Sequence, residues 1–100
     1  MAVILLVVEF EWDADKAEAN FGKHGVSFHE AATVFGDPLS ITVANPDHSL
    51  DENRYIVVGL SRSGRLLIVS HTERDERIRI ISARELTREE RRDYEEGDFD

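Results

Sequence analysis

Two arginines lie two positions apart in the alternating run Arg77-Ile78-Arg79-Ile80. Because successive side chains of a β-strand point to opposite faces, the run predicts a strand with both arginines on one face and both isoleucines in the core. A guanidinium group stays charged and can make two parallel hydrogen bonds to a phosphate. The pair therefore indicates a face that binds phosphate groups.

Two histidines could transfer protons beside this face, because imidazole titrates near neutral pH. The first, His71, ends the strand that precedes Arg77. A connection of four or five residues would place residue 71 or residue 72 opposite Arg77, and His71 joins the arginine face only in the first case. In the second case it turns toward the core, where it would be a hydrogen-bonded structural histidine. The sequence leaves this register open.

The second histidine, His24, follows Lys23 between Gly22 and Gly25, which we expect to end a helix near residue 20 or 21. His24 is a candidate for proton transfer, and Lys23 for substrate binding. Cations also interact favourably with the C-terminal end of a helix, so both residues could instead have a capping role. The histidine spacing matches no metal-binding motif, and we expect neither a metal nor a cofactor.

Other side chains could extend the arginine face. Arg54 opens another predicted strand, where it either joins the face or pairs with Asp51 or Glu52. Arg84 alternates to the face opposite Arg79 unless the strand ends or bulges, and it could instead contact the last helix.

Two aromatic residues, Trp12 and Tyr94, are candidates for stacking on a nucleobase. A lone tryptophan beside a strand end is more often part of the core. Tyr94, on the last predicted helix, has the same two interpretations.

The net charge of −9 argues by itself against nucleic-acid binding. Residues 54–84, however, hold seven arginines against three acidic residues, which is a net charge of +4 in an otherwise acidic chain. This basic segment suits phosphate contacts. Each arginine could also form an ion pair with the acidic flanks, and the composition does not distinguish the two.

The length of 100 residues predicts one domain, residues 1–100, with a modest core. The absence of cysteine excludes disulfides, thiolate metal sites and a cysteine nucleophile, and it favours a reducing compartment. The apolar run at residues 2–8 lacks a basic flank and a small-residue cleavage site, and it is too short to cross a membrane. We therefore expect a soluble, cytoplasmic protein without a membrane partner.

Periodicity and turn residues predict the element order β-α-α-β-β-β-β-α. The predicted strands span residues 3–10, 39–44, 54–60, 65–71 and 77–83, and helices begin after Asp13, Ser27 and Thr87. Short connections between the later strands imply antiparallel pairing, with the two N-terminal helices on one face of the sheet. The fold class is α+β, with a C-terminal helix that is almost entirely polar and could need a partner to order it.

Two of these helices open with the pattern of a capping box. Ser27 is followed three residues later by Glu30, and Thr87 by Glu90. In this arrangement each hydroxyl and each carboxylate satisfies a backbone amide that the first helical turn leaves without a partner.

A set of short motifs runs in order along the chain between Glu9 and Glu96. They are Phe10-Glu11-Trp12-Asp13, Lys23-His24-Gly25-Val26-Ser27-Phe28, Glu30-Ala31-Ala32-Thr33-Val34-Phe35, Asp37-Pro38, Pro46-Asp47-His48-Ser49, Arg54, Gly59, His71-Thr72-Glu73-Arg74 and Arg77-Ile78-Arg79-Ile80-Ile81-Ser82-Ala83-Arg84. As an ordered set they resemble the BrnT family of toxins.

The resemblance implies a RelE-like fold, ribonuclease activity that halts translation, and a BrnA-type antitoxin as protein partner. It further implies that the antitoxin carries the DNA-binding part, so the pair contacts operator DNA only through it. We expect a heterotetramer of toxin and antitoxin.

RNA cleavage without a metal uses the substrate's 2′-hydroxyl as nucleophile, and the protein supplies a base, an acid and cations around the phosphate. The residues assigned to catalysis are His71, Arg77, Arg79, His24 and Arg54, and those assigned to substrate binding are Lys23, Trp12, Arg84 and Tyr94. One alternative is a non-catalytic module whose arginine face docks an acidic partner or nucleic acid. Another is an attenuated toxin whose acidic ends shield that face.

Overall fold

The structure is a computed structural model that describes residues 8–45 and 53–99. Its strands are β1 (Glu9–Glu11), β2 (Ile41–Ala44), β3 (Arg54–Leu60), β4 (Leu66–Arg74) and β5 (Arg77–Glu85), and its helices are α1 (Ala14–His24), α2 (Phe28–Thr33) and α3 (Arg88–Glu95). A single 3-10 turn, Val34–Gly36, follows α2. The element order is the predicted one, which confirms the α+β class.

The five described strands form one sheet in the order β1-β5-β4-β3-β2. Strands β2 to β5 pair antiparallel, as their short connections predict. The short strand β1 lies parallel to β5 at one edge, with Glu9 beside Arg77 and Glu11 beside Arg79. This parallel edge was not predicted, and it brings the N-terminal strand next to the arginine run.

The core lies between the two N-terminal helices and one face of the sheet, which we call the inner face. Its buried apolar residues are Val26, Phe28, Ala31, Val34, Val57, Leu67, Val69, Ile80 and Ala83. Ile78 packs partly buried against them, so both isoleucines of the arginine run face the core as predicted.

The opposite face of the sheet, the outer face, carries α3 near one end. The side chain of Arg84 on β5 pairs with Glu90 of α3 at 2.8 Å. Tyr94 of α3 donates a hydrogen bond to the carbonyl of Leu39, which precedes β2. These contacts hold the polar helix across one end of the outer face and leave the arginine end open.

Helix α1 continues beyond its predicted end. The side chain of Asp13 accepts a hydrogen bond from the amide of Lys16 and caps the first turn, as expected. The helix passes through Gly22 and ends at Gly25, whose φ of 69° closes it in the left-handed conformation. The prediction that it stops near residue 20 was wrong, because glycine at an exposed helical position is tolerated at a cost of about 1 kcal/mol.

The two predicted capping boxes have different outcomes. At α3, Thr87 and Glu90 form the complete box. At α2, the Ser27 hydroxyl accepts from the Glu30 amide, but the Glu30 carboxylate turns away to Arg65 on the β3–β4 hairpin. A charge-assisted contact with a guanidinium is stronger than one with a backbone amide, which explains the departure.

The side chain of the buried residue Asn20 makes hydrogen bonds to the backbone of β5 at the edge where β1 has ended and no further strand is paired among the described residues. Its side-chain amide donates to the carbonyl of Ala83 at 2.9 Å and accepts from the amide of Ala83 at 3.1 Å. It also donates to the carbonyl of Val26. These contacts satisfy the edge of β5 beyond β1 and fix α1 on the sheet.

Several predicted features lie outside the described residues: most of the predicted strand 3–10, and the loop stretch Pro46-Asp47-His48-Ser49 with Asp51 and Glu52. The helices in the described part of the chain are all too short or too polar to pass through a membrane.

Candidate functional site

The β4–β5 connection is tighter than the sequence predicts. Strand β4 runs to Arg74, and the turn consists only of Asp75, with a φ of 51°, and Glu76. Arg74 therefore lies opposite Arg77, where we expected residue 71 or 72. The expectation of a four- or five-residue connection was wrong, since Asp75 supplies the left-handed backbone that a two-residue turn requires.

This register aligns polar side chains in one row across the outer face. Thr72 pairs with Arg79 on one side and with Arg54 on the other, and Glu11 lies next to Arg79. Since directly paired residues point to the same face, the row places these groups side by side. Arg54 and the predicted pair Arg77 and Arg79 thus lie together, so Arg54 joins the arginine face, which is one of the two interpretations that the sequence left open.

A cavity of about 380 Å³ opens over this row, and we call it the arginine cavity. It is lined by Glu11, Lys16, Asn53, Arg54, Thr72, Arg74, Arg77, Arg79 and Ile81. Its described lining contains four arginines and one lysine against one carboxylate. The local charge is therefore strongly positive in a chain whose net charge is −9.

Three arginines of the cavity, Arg74, Arg77 and Arg79, are weakly neutralised by the described residues. Arg77 lies 3.4 Å from Glu9 and 3.8 Å from Glu11, but these side chains are exposed, and such pairs contribute little. For Arg79 and Arg74, the described part of the chain offers no ion pair. The amide of Lys16, and more weakly the charge of Arg79, lowers the pKa of Asp13. Guanidinium groups without close carboxylates are available to an anionic ligand.

His71 lies on the inner face, away from the arginine cavity's guanidinium row. Its side chain is fully buried, with Nε2 3.0 Å from a carboxylate oxygen of Glu73. The ring packs edge-on against Phe35 and stacks on Tyr55. Of the two placements that the sequence left open, the core is the one found.

The second histidine candidate and its neighbour also lie away from the cavity. His24 and Lys23 occupy the last turn of α1, while Lys16, which lines the cavity, lies near its first turn. His24 lies eight positions after Lys16 in the helix, a distance of about 12 Å along the axis. Their position matches the capping interpretation.

Trp12 packs against the core. Its ring lies edge-on to Phe28, with centroids 6.0 Å apart, and edge-on to His29 at 4.8 Å. The residue is absent from the described lining of the arginine cavity.

The other predicted binding residues meet at α3. Arg84 does share the outer face with Arg79, because the sheet register shifts between Ser70 and His71, which is the bulge condition that the sequence left open. Its guanidinium is nevertheless held by both carboxylate oxygens of Glu90, which lowers the pKa of Glu90 to about 2. Tyr94 anchors α3 through Leu39, and burial raises the pKa of its hydroxyl.

A network of contacts around Arg65, which the sequence analysis did not predict, has a structural role. The guanidinium of Arg65 contacts both carboxylate oxygens of Glu30, and the hydroxyls of Ser61 and Ser63 donate to the same carboxylate. Arg65 also reaches Glu85 at 3.3 Å. These contacts, led by Arg65, lower the pKa of Glu30 to about 2 and tie α2 to the β3–β4 hairpin.

Sequence reasoning also missed six lining residues of the arginine cavity, which are Glu11, Lys16, Asn53, Thr72, Arg74 and Ile81. Thr72 and Arg74 follow from the register of a turn that was placed wrongly, Glu11 follows from the parallel pairing of β1, and Lys16 lies in the first turns of α1, which comes directly after β1. The sequence feature that could have indicated a role for Glu11 is its position as a charged residue between the aromatic residues Phe10 and Trp12.

The chain is a small α+β protein in which helices cover one face of the sheet and five cations line a cavity on the other. The family model described as a ribonuclease toxin, BrnT, of type II toxin–antitoxin systems matches residues 12–90. The chain therefore belongs to the BrnT family, and the predicted membership is confirmed. A toxin of this type has a protein antitoxin as its partner.

The fold agrees with this assignment. The crystal structure of the Brucella abortus ribonuclease toxin BrnT, determined at 1.1 Å resolution, is similar to this chain with a TM-score of 0.60. The two sequences are 19% identical over a match that covers 82% of this chain and 100% of that one, so this likeness concerns the fold alone. No protein of curated function matches the chain.

Proposed function

We propose that this BrnT toxin cleaves single-stranded RNA at the arginine cavity without a metal ion. The observation that carries the proposal is the convergence of Lys16, Arg54, Arg74, Arg77 and Arg79 on one cavity. Positive charge around a phosphate stabilises the additional negative charge that develops in the transition state. Arg54, Arg77 and Arg79 keep the phosphate-binding roles that their types and spacing indicate.

The reaction needs one group to remove a proton and one to supply it. The 2′-oxygen attacks the adjacent phosphorus, the bond from phosphorus to the 5′-oxygen breaks, and a 2′,3′-cyclic phosphate forms. Glu11 accepts the proton of the 2′-hydroxyl, and the ammonium of Lys16 donates a proton to the departing 5′-oxygen. Both line the cavity, whereas His24 and His71 do not reach it with their side chains, so Glu11 and Lys16 replace them in this proposal.

Cleavage of messenger RNA in the cytoplasm would stop translation and growth. A BrnA-type antitoxin would neutralise the toxin by covering the cationic cavity, in a heterotetramer that contacts operator DNA only through the antitoxin. The charge of the cavity supports an acidic segment of that antitoxin as the covering element.

The test is induction of the chain alone in a bacterium, comparing wild type with Arg79→Ala and Arg62→Ala. Arg62 is an exposed arginine on the β3–β4 hairpin, at the other end of β3 from the cavity, and serves as the matched control. We expect growth arrest and loss of RNA with wild type and Arg62→Ala but not with Arg79→Ala. Purified protein should cleave RNA in EDTA and should leave RNA with 2′-deoxy substitutions intact.

A second candidate function is binding of an acidic partner or nucleic acid without cleavage. It is favoured by the absence of a histidine side chain from the described cavity row. In that case Arg79→Lys should retain full function, because charge alone matters. Unimpaired growth on induction of folded wild type would favour this candidate or an attenuated toxin.

A further inference from the structure

A second, smaller cavity adjoins the arginine cavity on the outer face. It encloses about 240 Å³ and shares Arg54 and Ile81 with the arginine cavity. Its further lining residues on the outer face are Asn45, Ser70 and Ser82, and the residues Tyr55 and His71, whose side chains the strand pairing places on the inner face, also border it. We call it the serine pocket. Its volume is below the roughly 300 Å³ of pockets for drug-sized ligands, which suits a fragment the size of one nucleobase.

The pocket results from an irregularity in the β4–β5 pairing. Ser70 pairs with Ser82 and His71 pairs with Ile80, so Ile81 is an extra residue on β5. Such a bulge bends the strand locally and re-aims its side chains. The two serines are small and lie side by side on the outer face, which leaves a depression between the row of Arg79 and the end covered by α3.

The chemistry of the serine pocket differs from that of its neighbour. The Ser70 and Ser82 hydroxyls are half-buried, and neither makes a hydrogen bond to another residue in the ranges 8–45 and 53–99. A hydroxyl can donate and accept, so a pair of them can match the polar edge of a base. Ile81 supplies an apolar surface, and Arg54 places a positive charge at the border with the arginine cavity.

We propose that the serine pocket is a nucleobase subsite, which holds the base next to the scissile phosphate and contributes to the choice of cleavage site. The inference rests on the proposed function, because the phosphate must lie in the arginine cavity. Proteins that recognise single-stranded RNA hold unstacked bases and form hydrogen bonds with their edges. A phosphate held near Arg54 and Arg79 leaves its base within reach of the adjoining pocket.

The test compares cleavage-site preference in variants that fill the pocket or remove its hydroxyls. Ser82→Val fills it, Ser70→Ala removes one hydroxyl with little loss of volume, and Thr42→Val is the control, an exposed hydroxyl residue on the inner face of β2. Each purified variant digests an RNA of mixed sequence, and sequencing of product ends gives the preference for each base. Thermal unfolding checks that each variant is folded.

We expect the wild type to prefer one base or base class at the cleavage site. Ser70→Ala should reduce that preference about fivefold, the effect of one neutral hydrogen bond, and Ser82→Val should reduce it further or change the preferred base. Both should still cleave RNA, and Thr42→Val should match wild type. Cleavage with unchanged preference in folded Ser70→Ala and Ser82→Val would overturn the subsite while leaving the proposed function intact. If wild type does not cleave RNA, the proposed function and the subsite both fail.

Discussion

At the scale of single residues, four of the seven arginines of the basic segment, residues 54–84, fall into two contrasting pairs. Arg65 and Arg84 each contact both oxygens of one glutamate, so their charges are used within the fold. Arg77 and Arg79 face the arginine cavity with weak or no ion pairs among the described residues. The alternation with isoleucine could predict the orientation of the second group. The pairing of the first depends on contacts between distant segments, which no local pattern contains.

The role of Glu11 gives a prediction for one residue. Glu11→Gln keeps the shape of the side chain but removes the proton acceptor, so we expect the cleavage rate to fall about a hundredfold or more. Single-turnover cleavage of a short RNA at neutral pH provides the check.

The neighbouring carboxylate supplies the control for this experiment. Glu9 lies closer to Arg77 than Glu11 does, but it is not part of the described lining of the arginine cavity. Glu9→Gln should therefore leave the rate near that of wild type. Equal losses in both variants would assign Glu11 to the support of Arg77 and would remove it from proton transfer.

At the scale of elements, the sequence predicts the order and type of every helix and strand, because periodicity and capping residues are local. It does not predict the register of β4 against β5, which depends on a left-handed residue at Asp75 and on the bulge near Ser70. A shift of one residue exchanges the two faces of a strand, so the position of His71 could not be derived without that register. The fold was therefore more predictable than the site.

The two glycines of α1 provide a matched pair for a stability prediction. Gly25 has a positive φ, so Gly25→Ala should lower the free energy of unfolding by about 1 kcal/mol. Gly22 is helical, and an added Cβ meets open space, so Gly22→Ala should raise that free energy by about 0.5–1 kcal/mol. Urea unfolding of the two variants measures both effects. Equal signs would mean that α1 does not end at Gly25.

The link between α2 and the β3–β4 hairpin predicts a dependence on pH. Because the pKa of Glu30 falls from 4.5 to about 2 on folding, its ionised form stabilises the fold above about pH 4.5, and this contribution is lost as the pH falls toward 2. Glu30→Gln should therefore cost about 2 kcal/mol at neutral pH and should flatten the loss of stability in acid.

The check is chemical unfolding of wild type and Glu30→Gln between pH 2 and 7, which brackets the shift of the pKa from 4.5 to about 2. Glu18→Gln, an exposed substitution on α1, serves as control and should follow the wild-type curve. If the free energy of unfolding falls with pH equally in wild type and Glu30→Gln, protonation of the Glu30 carboxylate does not contribute to the loss of stability in acid.

At the scale of the whole molecule, a net charge of −9 coexists with a cavity whose described lining is mostly cationic. The acidic remainder repels RNA at long range, while the cavity attracts phosphates at short range. Added salt screens the long-range repulsion, but it also weakens phosphate contacts because their formation releases bound counterions. For a ligand seated in the cavity we expect the second effect to dominate.

This balance predicts how RNA binding responds to salt. For single-stranded nucleic acids, a plot of the logarithm of the binding constant against the logarithm of the salt concentration has a slope of about −0.7 for each neutralised phosphate. Removal of one phosphate contact should therefore make this slope less steep by about 0.7. Binding of a fully 2′-deoxy oligonucleotide, measured by fluorescence anisotropy at several salt concentrations, separates affinity from cleavage. Arg79→Ala should flatten the slope by about 0.7, whereas Arg62→Ala, remote from the cavity, should leave it unchanged.

A slope near zero in wild type would mean that phosphates do not enter the arginine cavity. Binding that falls steeply with salt and vanishes at physiological salt would favour the attenuated toxin, because the phosphate contacts of the cavity would then be too weak to hold RNA under those conditions.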